Sequence, residues 1–76
     1  MEVTHEVYTL EKDRWIIDSR HKKSEKEKAI DEAKLLAKQP HIEATRVVRE
    51  SCNSEDGMAR EETIFDSRPI PRLNHL

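Results

Sequence analysis

The chain has 76 residues, of which 14 are Lys or Arg and 16 are Asp or Glu, so its formal net charge is -2. A chain of this length forms one small domain and buries only about 60% of its unfolded surface, which disfavours a deep catalytic pocket. Charged residues make up 39% and apolar residues 34%, a balance that limits the size of the core. The single cysteine excludes an intrachain disulfide, and the single glycine excludes glycine-rich nucleotide-binding loops.

The first two predicted strands cover residues 5–10 and 15–20, which are rich in β-branched and aromatic side chains. The charged residues 11–14 between them predict a hairpin with a loop of the longer class. The first 20 residues contain five carboxylates and no apolar run. We therefore expect neither a signal peptide nor a membrane span.

A helix is predicted to begin at Ser24 and to continue over residues 25–38. Ser24 and Glu27 have the spacing of a capping box, in which each side chain accepts a hydrogen bond from a backbone N–H of the first turn. Pro40 disfavours helical geometry at the preceding residue and ends the segment. The apolar side chains fall on one stripe of the helix, formed by Ala29, Ile30, Ala33, Leu36 and Ala37. Because three of them are alanines, the helix can lie close to a sheet.

Residues 42–50 and 58–66 repeat the strand pattern and predict a second hairpin. Asp56-Gly57 predicts the turn, because glycine adopts positive φ without steric cost. Pro69 and Pro71 indicate that residues 68–76 form an extended tail beyond a single domain of residues 1–67.

The predicted element order is ββαββ, which indicates an α+β fold with one helix packed across one face of a four-stranded sheet. This order resembles the β-grasp fold of the protein G type, in which the first and last strands pair in parallel. A fully antiparallel sheet is the alternative. The segments R-W-I-I-D-S at residues 14–19 and R-V-V-R-E at residues 46–50 resemble those of short uncharacterised bacterial proteins. That resemblance extends over most of the chain up to Asp66 and implies no activity.

Each predicted strand contains two adjacent apolar residues, and neighbouring side chains of a strand point to opposite faces. One helix covers only one face. The face against the helix is predicted to carry Val7, Trp15, Ile17, Val48 and Ile64. The open face is predicted to carry Tyr8, Leu10, Ile16, Val47 and Phe65. An exposed apolar strip of this kind marks an interaction surface, unless Pro69 and Ile70 fold back over it or the register shifts by one residue.

Catalytic and metal-binding patterns are missing from the sequence. The histidines, at positions 5, 21, 41 and 75, stand singly, and Cys52 has no Cys-x-x-Cys partner, so we expect no metal site. Cys52 falls in the predicted second hairpin loop. No nucleophile elbow or phosphate-binding loop occurs. The sequence therefore predicts a protein that is not an enzyme and needs no cofactor.

The predicted function is that of a small cytoplasmic interaction module that binds a protein partner, or a second copy of itself, through the open face. The alternative is weak binding of nucleic acid, because Lys and Arg side chains can contact phosphates. This alternative would use a basic cluster formed by Arg14, Arg20, Lys22 and Lys23. The net negative charge and the pI of about 6.1 oppose it.

Overall fold

A computed structural model describes residues 2–68 of the protein. The strands are β1 (Glu2–Glu11), β2 (Arg14–Lys22), β3 (Ala44–Cys52) and β4 (Ala59–Asp66). Helix α1 (Lys26–Leu36) lies between β2 and β3 and is preceded by a 3₁₀ turn at Lys23–Glu25. The predicted ββαββ order and the α+β class are thus confirmed. Most of the predicted tail, from residue 69 onward, lies outside the described residues, as does the alternative in which Pro69 and Ile70 cover the sheet.

The four strands form one sheet in the order β2-β1-β3-β4, and every neighbouring pair is antiparallel. The antiparallel alternative is therefore confirmed, and the β-grasp alternative is wrong, because β1 pairs with β3 and not with the last strand. Since β2 and β3 flank β1 on either side, the connection that contains α1 has to cross β1. This crossing places the helix over the centre of the sheet. Among residues 2–68, no helix has the length and apolar character needed to cross a bilayer.

The first hairpin turn is tighter than the sequence predicts. β1 ends at Glu11 and β2 begins at Arg14, so only Lys12 and Asp13 form the loop. Both have positive φ, 51° and 63°, which is the geometry of a type I′ turn. The prediction of a longer loop was wrong because neither residue is glycine, the usual signal for this turn. Asp tolerates the left-handed region better than Lys does.

The turn predicts a stabilising double substitution. Replacing Lys12 by Asn and Asp13 by Gly supplies the pair that a type I′ turn favours, so we expect the free energy of unfolding to rise by about 1 kcal/mol. Urea denaturation followed by circular dichroism measures the change. A Lys12→Val variant should be destabilised instead, because a β-branched side chain opposes positive φ. Equal stability of the two variants would contradict the turn geometry.

Helix α1 packs on the sheet through the predicted stripe. Ala29 and Ala33 are fully buried against Val7 and Val47, and this cluster is the centre of the core. Four larger side chains pack around it, namely Ile30, Leu36, Ile64 and Phe65. The hydroxyl of buried Thr45 donates a hydrogen bond of 2.8 Å to the carbonyl of Ala33 and so joins β3 directly to the helix. The alanines therefore permit the close approach that the sequence predicts.

The start of the helix differs from the prediction. Ser24 lies inside the 3₁₀ turn, and Glu25 is the N-cap residue of α1, with no hydrogen bond from its side chain to the cap. The Glu25 carboxylate instead accepts a hydrogen bond of 3.0 Å from the backbone N–H of Lys22. The hydrogen bond between Glu25 and Lys22 thus stabilises the entry into the helix, as the predicted Ser24–Glu27 capping box was expected to do. It also ties the 3₁₀ turn to the end of β2.

Two β-bulges decide which side chains face the helix. In β2, Ser19 pairs with Val7 and Ile17 pairs with Tyr8, so Asp18 is an extra residue that has no partner in β1. In β4, Ile64 is the extra residue in the same sense. An extra residue interrupts the alternation of faces. On one side of each bulge the odd-numbered residues of the strand face the helix, and on the other side the even-numbered residues do.

Several predicted face assignments are wrong, in β3 as well as in the strands that contain a bulge. Val47 is fully buried under the helix, and Phe65 packs against the same core with the Lys34 ammonium 6.0 Å from its ring centre. Ile16 pairs with buried Thr9 and belongs to the helix side. The reverse error affects three residues that were predicted to face the helix and lie on the open face, namely Trp15, Ile17 and Val48. Tyr8 and Leu10 lie on the open face as predicted.

Candidate functional site

The open face is the side of the sheet that α1 does not cover, and no other helix or strand within residues 2–68 covers it. Its apolar side chains are contributed by β1, β2 and β3, because the register brings them together across these strands. They are Tyr8, Leu10, Trp15, Ile17 and Val48. Ile17 is 46% exposed. An apolar strip thus exists on this face, with a membership that differs from the predicted one.

A buried carboxylate lies at the centre of this face. Glu6 is only 3% exposed, and it pairs with Arg20 across β2 and with Val48 across β3. The Arg20 guanidinium donates to one Glu6 oxygen at 2.8 and 3.0 Å. The Tyr8 hydroxyl donates to the other oxygen at 2.9 Å. Glu6 is therefore held in place through both of its oxygens.

Two further carboxylates stand beside Glu6 and complete what we name the carboxylate cluster. Glu50 and Glu61 lie directly opposite one another on β3 and β4, and oxygens of all three groups lie within 4.8 Å of one another. Like charges in directly opposed positions destabilise a sheet. Burial raises the pKa of Tyr8, and the hydrogen bond to Glu6 and the charges of the three carboxylates raise it further. None of the ion pairs formed within residues 2–68 involves Glu50 or Glu61.

The carboxylate cluster was not foreseen, because the prediction of no metal site considered only histidine and cysteine. Three carboxylate oxygens suit a hard cation such as Mg²⁺ or Ca²⁺. However, both oxygens of Glu6 already accept hydrogen bonds from Arg20 and Tyr8. Arg20 thus already neutralises the charge of Glu6, whereas Glu50 and Glu61 form no ion pair within residues 2–68.

An aromatic and cationic stack borders the same face. The Arg46 guanidinium lies 4.2 Å from the centre of the Trp15 ring, and the Arg68 guanidinium lies 5.3 Å from it. Asp66 contacts both arginines, at 3.5 Å from Arg46 Nε and 3.0 Å from Arg68. The hydrogen bond from the Arg68 side chain is the main cause that lowers the pKa of Asp66. The stack therefore places two guanidinium groups, both paired with Asp66, against the Trp15 ring.

A shallow cavity of about 170 Å³ lies between this stack and the carboxylate cluster. We name it the aromatic pocket, and its lining consists of Tyr8, Trp15, Arg46, Val48 and Glu61. Two of these residues are aromatic, Val48 is apolar and buried, Glu61 carries a negative charge and Arg46 carries a positive one. The rings and Val48 suit the apolar stem of a long side chain, and Glu61 is the member of the lining that attracts a positive charge at its tip.

The four residues of the predicted basic cluster do not all lie on one surface in the structure. Arg14 and Lys22 are the first and last residues of β2, about 26 Å apart at the rise of a strand. Arg20 is paired with Glu6 on the open face. Lys23 belongs to the 3₁₀ turn and lines a cavity on the helix side. The structure thus does not bring these four side chains to one surface.

A second polar cluster joins β2 to the helix but lacks the geometry of a catalytic triad. Nε2 of His21 lies 3.1 Å from the Ser19 hydroxyl and 2.9 Å from a Glu32 oxygen. A triad needs the acid and the nucleophile on different ring nitrogens. Here both contact the same nitrogen, and the Ser19 hydroxyl itself donates to Glu32 at 2.9 Å. This arrangement holds the helix against β2 and does not activate a nucleophile.

Asp18, the bulge residue of β2, belongs to the same cluster. Burial is the main cause that raises its pKa, and the neighbouring Glu32 raises it further. For Glu32, burial acts to raise the pKa, but hydrogen bonds from Ser19, Asp18 and His21 outweigh it and leave the pKa below the usual range. Cys52 lies away from these groups, exposed at the end of β3 and not in the loop as predicted.

Comparison of the chain with protein-family models, with curated proteins and with solved structures finds no match. The sequence alone predicts only some of the residues that form the carboxylate cluster and the aromatic pocket. Glu6 and Tyr8 are two residues apart in β1, so they share a face of the sheet in any register. Glu50 and Glu61 meet only because β3 and β4 pair as they do.

Proposed function

We propose that the protein is a non-enzymatic, cytoplasmic interaction module whose open face binds a segment of a partner protein. The segment carries a Lys or Arg side chain next to an apolar one. The observation that carries this proposal is the unneutralised pair of Glu50 and Glu61, of which Glu61 lines the aromatic pocket. The single cysteine, exposed and free, supports the cytoplasmic location.

The energetics of the carboxylate cluster favour a cationic ligand. Glu50 and Glu61 repel each other in the unbound protein, so a positive charge placed between them gains two favourable interactions and removes an unfavourable one. The methylene stem of the same side chain can pack on Val48 and Tyr8. Trp15 adds an aromatic face close to the site, although Arg46 already lies against that ring.

A different protein fits this face better than a second copy of the chain. In a two-fold homodimer the same patch meets itself. If the two-fold axis passed through the carboxylate cluster, the two clusters would face each other and repel. We therefore propose a basic partner segment, and a homodimer through this face is an outcome that the test has to distinguish.

Selection from a displayed library of random peptides tests this proposal. We expect the wild-type chain to enrich peptides that have a Lys or Arg beside an apolar residue. Replacing both Glu50 and Glu61 by Gln should weaken the binding of an enriched peptide by about tenfold or more, because both charges that neutralise the cation are lost. Fluorescence anisotropy at low and at high salt measures this affinity.

The matched control is Glu27→Gln, which removes an exposed carboxylate from α1, outside the open face. This variant should bind the enriched peptide as the wild type does. Enrichment of acidic peptides, or equal affinity of the wild type and the Glu50/Glu61 variant, would contradict the proposal. A sedimentation experiment that shows a dimer disrupted by Ile17→Asp would assign the face to a second copy instead.

A further inference from the structure

The helix side of the sheet contains a second cavity, separate from the open face. Its volume is about 320 Å³, and it lies where the 3₁₀ turn and the first residue of α1 meet the central strands and β4. We name it the basic cavity, and its lining consists of His5, Lys23, Lys26, Arg49, Glu62 and Ile64. Neither the predicted interaction surface nor the proposed function uses it.

The charges that line the basic cavity are unbalanced. Lys23, Lys26 and Arg49 contribute three positive charges and Glu62 contributes one negative charge. None of the three basic side chains forms an ion pair within residues 2–68. Cations that converge on one cavity without partners repel each other, so an anion placed between them is stabilised by all three.

His5 gives the cavity a buried polar wall. The residue is only 2% exposed, and its Nδ1 lies 3.2 Å from the backbone carbonyl of Lys22. A carbonyl only accepts, so Nδ1 has to carry a proton. The other ring nitrogen, Nε2, is then the one that remains for a ligand. The contact to Lys22 thus holds a buried imidazole in the lining of the basic cavity.

The fold brings these groups together from different parts of the chain. His5 and Arg49 are direct neighbours across β1 and β3 on the helix side. Lys23 and Lys26 come from the turn that leads into α1, where the first backbone N–H groups of a helix lack partners within the helix. The helix dipole adds a positive potential at the same end. The positive end of the helix dipole therefore lies at the same end of α1 as Lys23 and Lys26.

We propose that the basic cavity binds the phosphate group of a small phosphorylated molecule. A phosphate monoester carries nearly two negative charges near neutral pH, which matches the excess charge of the lining. Arg49 offers the planar fork that binds phosphate oxygens, and the two lysines add point charges. The volume is at the lower end of the range of about 300–1,000 Å³ for ligand pockets, enough for a phosphate and a small organic group.

Glu62 has a separate role in this site. It lies directly opposite Arg49 on β4 and provides a nearby negative charge while the cavity is empty. The same charge repels an incoming phosphate. Glu62→Gln should therefore tighten phosphate binding, whereas Arg49→Gln should weaken it. This opposite pair of effects belongs to an anion site and would not arise from a purely structural role of the two residues.

NMR titration of the full chain with inorganic phosphate and with phenyl phosphate, at constant ionic strength, tests the inference. We expect saturable shifts of the His5 ring signals and of the backbone amides of Lys23 and Lys26. Arg49→Gln should raise the dissociation constant by about tenfold, and Glu62→Gln should lower it several-fold. Lys38→Gln, an exposed substitution beyond the end of α1, is the matched control and should leave it unchanged.

Two outcomes would overturn the inference. One is the absence of saturable shifts at the basic cavity in the folded wild-type chain. The other is an equal loss of affinity in Lys38→Gln and Arg49→Gln, which would indicate general ionic attraction. If Arg49→Gln fails to fold, Lys26→Gln replaces it, because Lys26 is exposed and its loss should weaken binding without disturbing the core.

Discussion

Replacing Val47 by Asp is expected to abolish cooperative folding. Val47 is fully buried and packs with Val7, Ala29 and Ala33 at the centre of the core. A buried carboxylate without a partner costs several kcal/mol, and a domain of this size has a net stability of only about 3–5 kcal/mol. Thermal denaturation followed by circular dichroism should show no cooperative transition. Val47→Ala should retain the fold and lose about 2 kcal/mol.

The matched control is Ile17→Asp, because Ile17 is apolar, lies in a strand and is 46% exposed on the open face. A charge placed there remains in contact with water. We expect a folded protein with nearly the stability of the wild type. If Val47→Asp folded normally and Ile17→Asp did not, the two faces of the sheet would be assigned the wrong way round.

The second large effect is a gain of stability in the Glu61→Lys variant. The substitution replaces one member of the repelling pair Glu50–Glu61 by a cation and places it beside the two remaining carboxylates, Glu6 and Glu50. Opposite charges in facing positions stabilise a sheet where like charges destabilise it, so the free energy of unfolding should rise by about 1 kcal/mol. Chemical denaturation at low salt measures the gain, which should shrink as salt is added.

Glu62→Lys is the matched control for this prediction. It makes the same chemical change one residue away, but Glu62 lies opposite Arg49, so the substitution creates a repelling pair. We expect this variant to be less stable than the wild type. Changes of the same sign in both variants would contradict the register of β3 and β4.

Glu61→Lys also connects stability to the proposed function. A lysine at this position supplies from within the chain the charge that we propose the partner supplies. The variant should therefore be more stable and should lose affinity for basic peptides. If the variant gained stability but bound basic peptides as the wild type does, the repulsion between Glu50 and Glu61 would be supported. The proposed function would then be contradicted.

The local features of the sequence predicted the elements well. β-branched runs predicted the four strands, the spacing of Ala29 and Ala33 predicted the buried stripe of the helix, and Asp56-Gly57 predicted a turn in which Gly57 has φ of +70°. Each of these signals depends on neighbours within a few residues. Local chemistry therefore suffices to detect them.

The assignment of faces needed information that no local pattern contains. Val47 and Val48 are chemically the same, so nothing in β3 indicates which of them is buried. In a regular strand Ile17 and Ser19 would share a face. The bulge at Asp18 in β2 places them on opposite faces instead. A bulge leaves no sequence signal of its own when neither glycine nor proline marks it.

Local sequence patterns were enough to predict the class of the fold and the number and order of its elements, and they contain no familiar catalytic motif. The strand order, the faces of the sheet and both candidate sites followed only from the folded structure. The physical reason is that the carboxylate cluster and the basic cavity each combine side chains from strands that are distant along the chain. Glu6 meets Glu50 and Glu61, and His5 meets Arg49, only through the pairing of β1, β3 and β4. Pairing between distant strands is a property of the folded chain as a whole, because it depends on how all of the elements pack together.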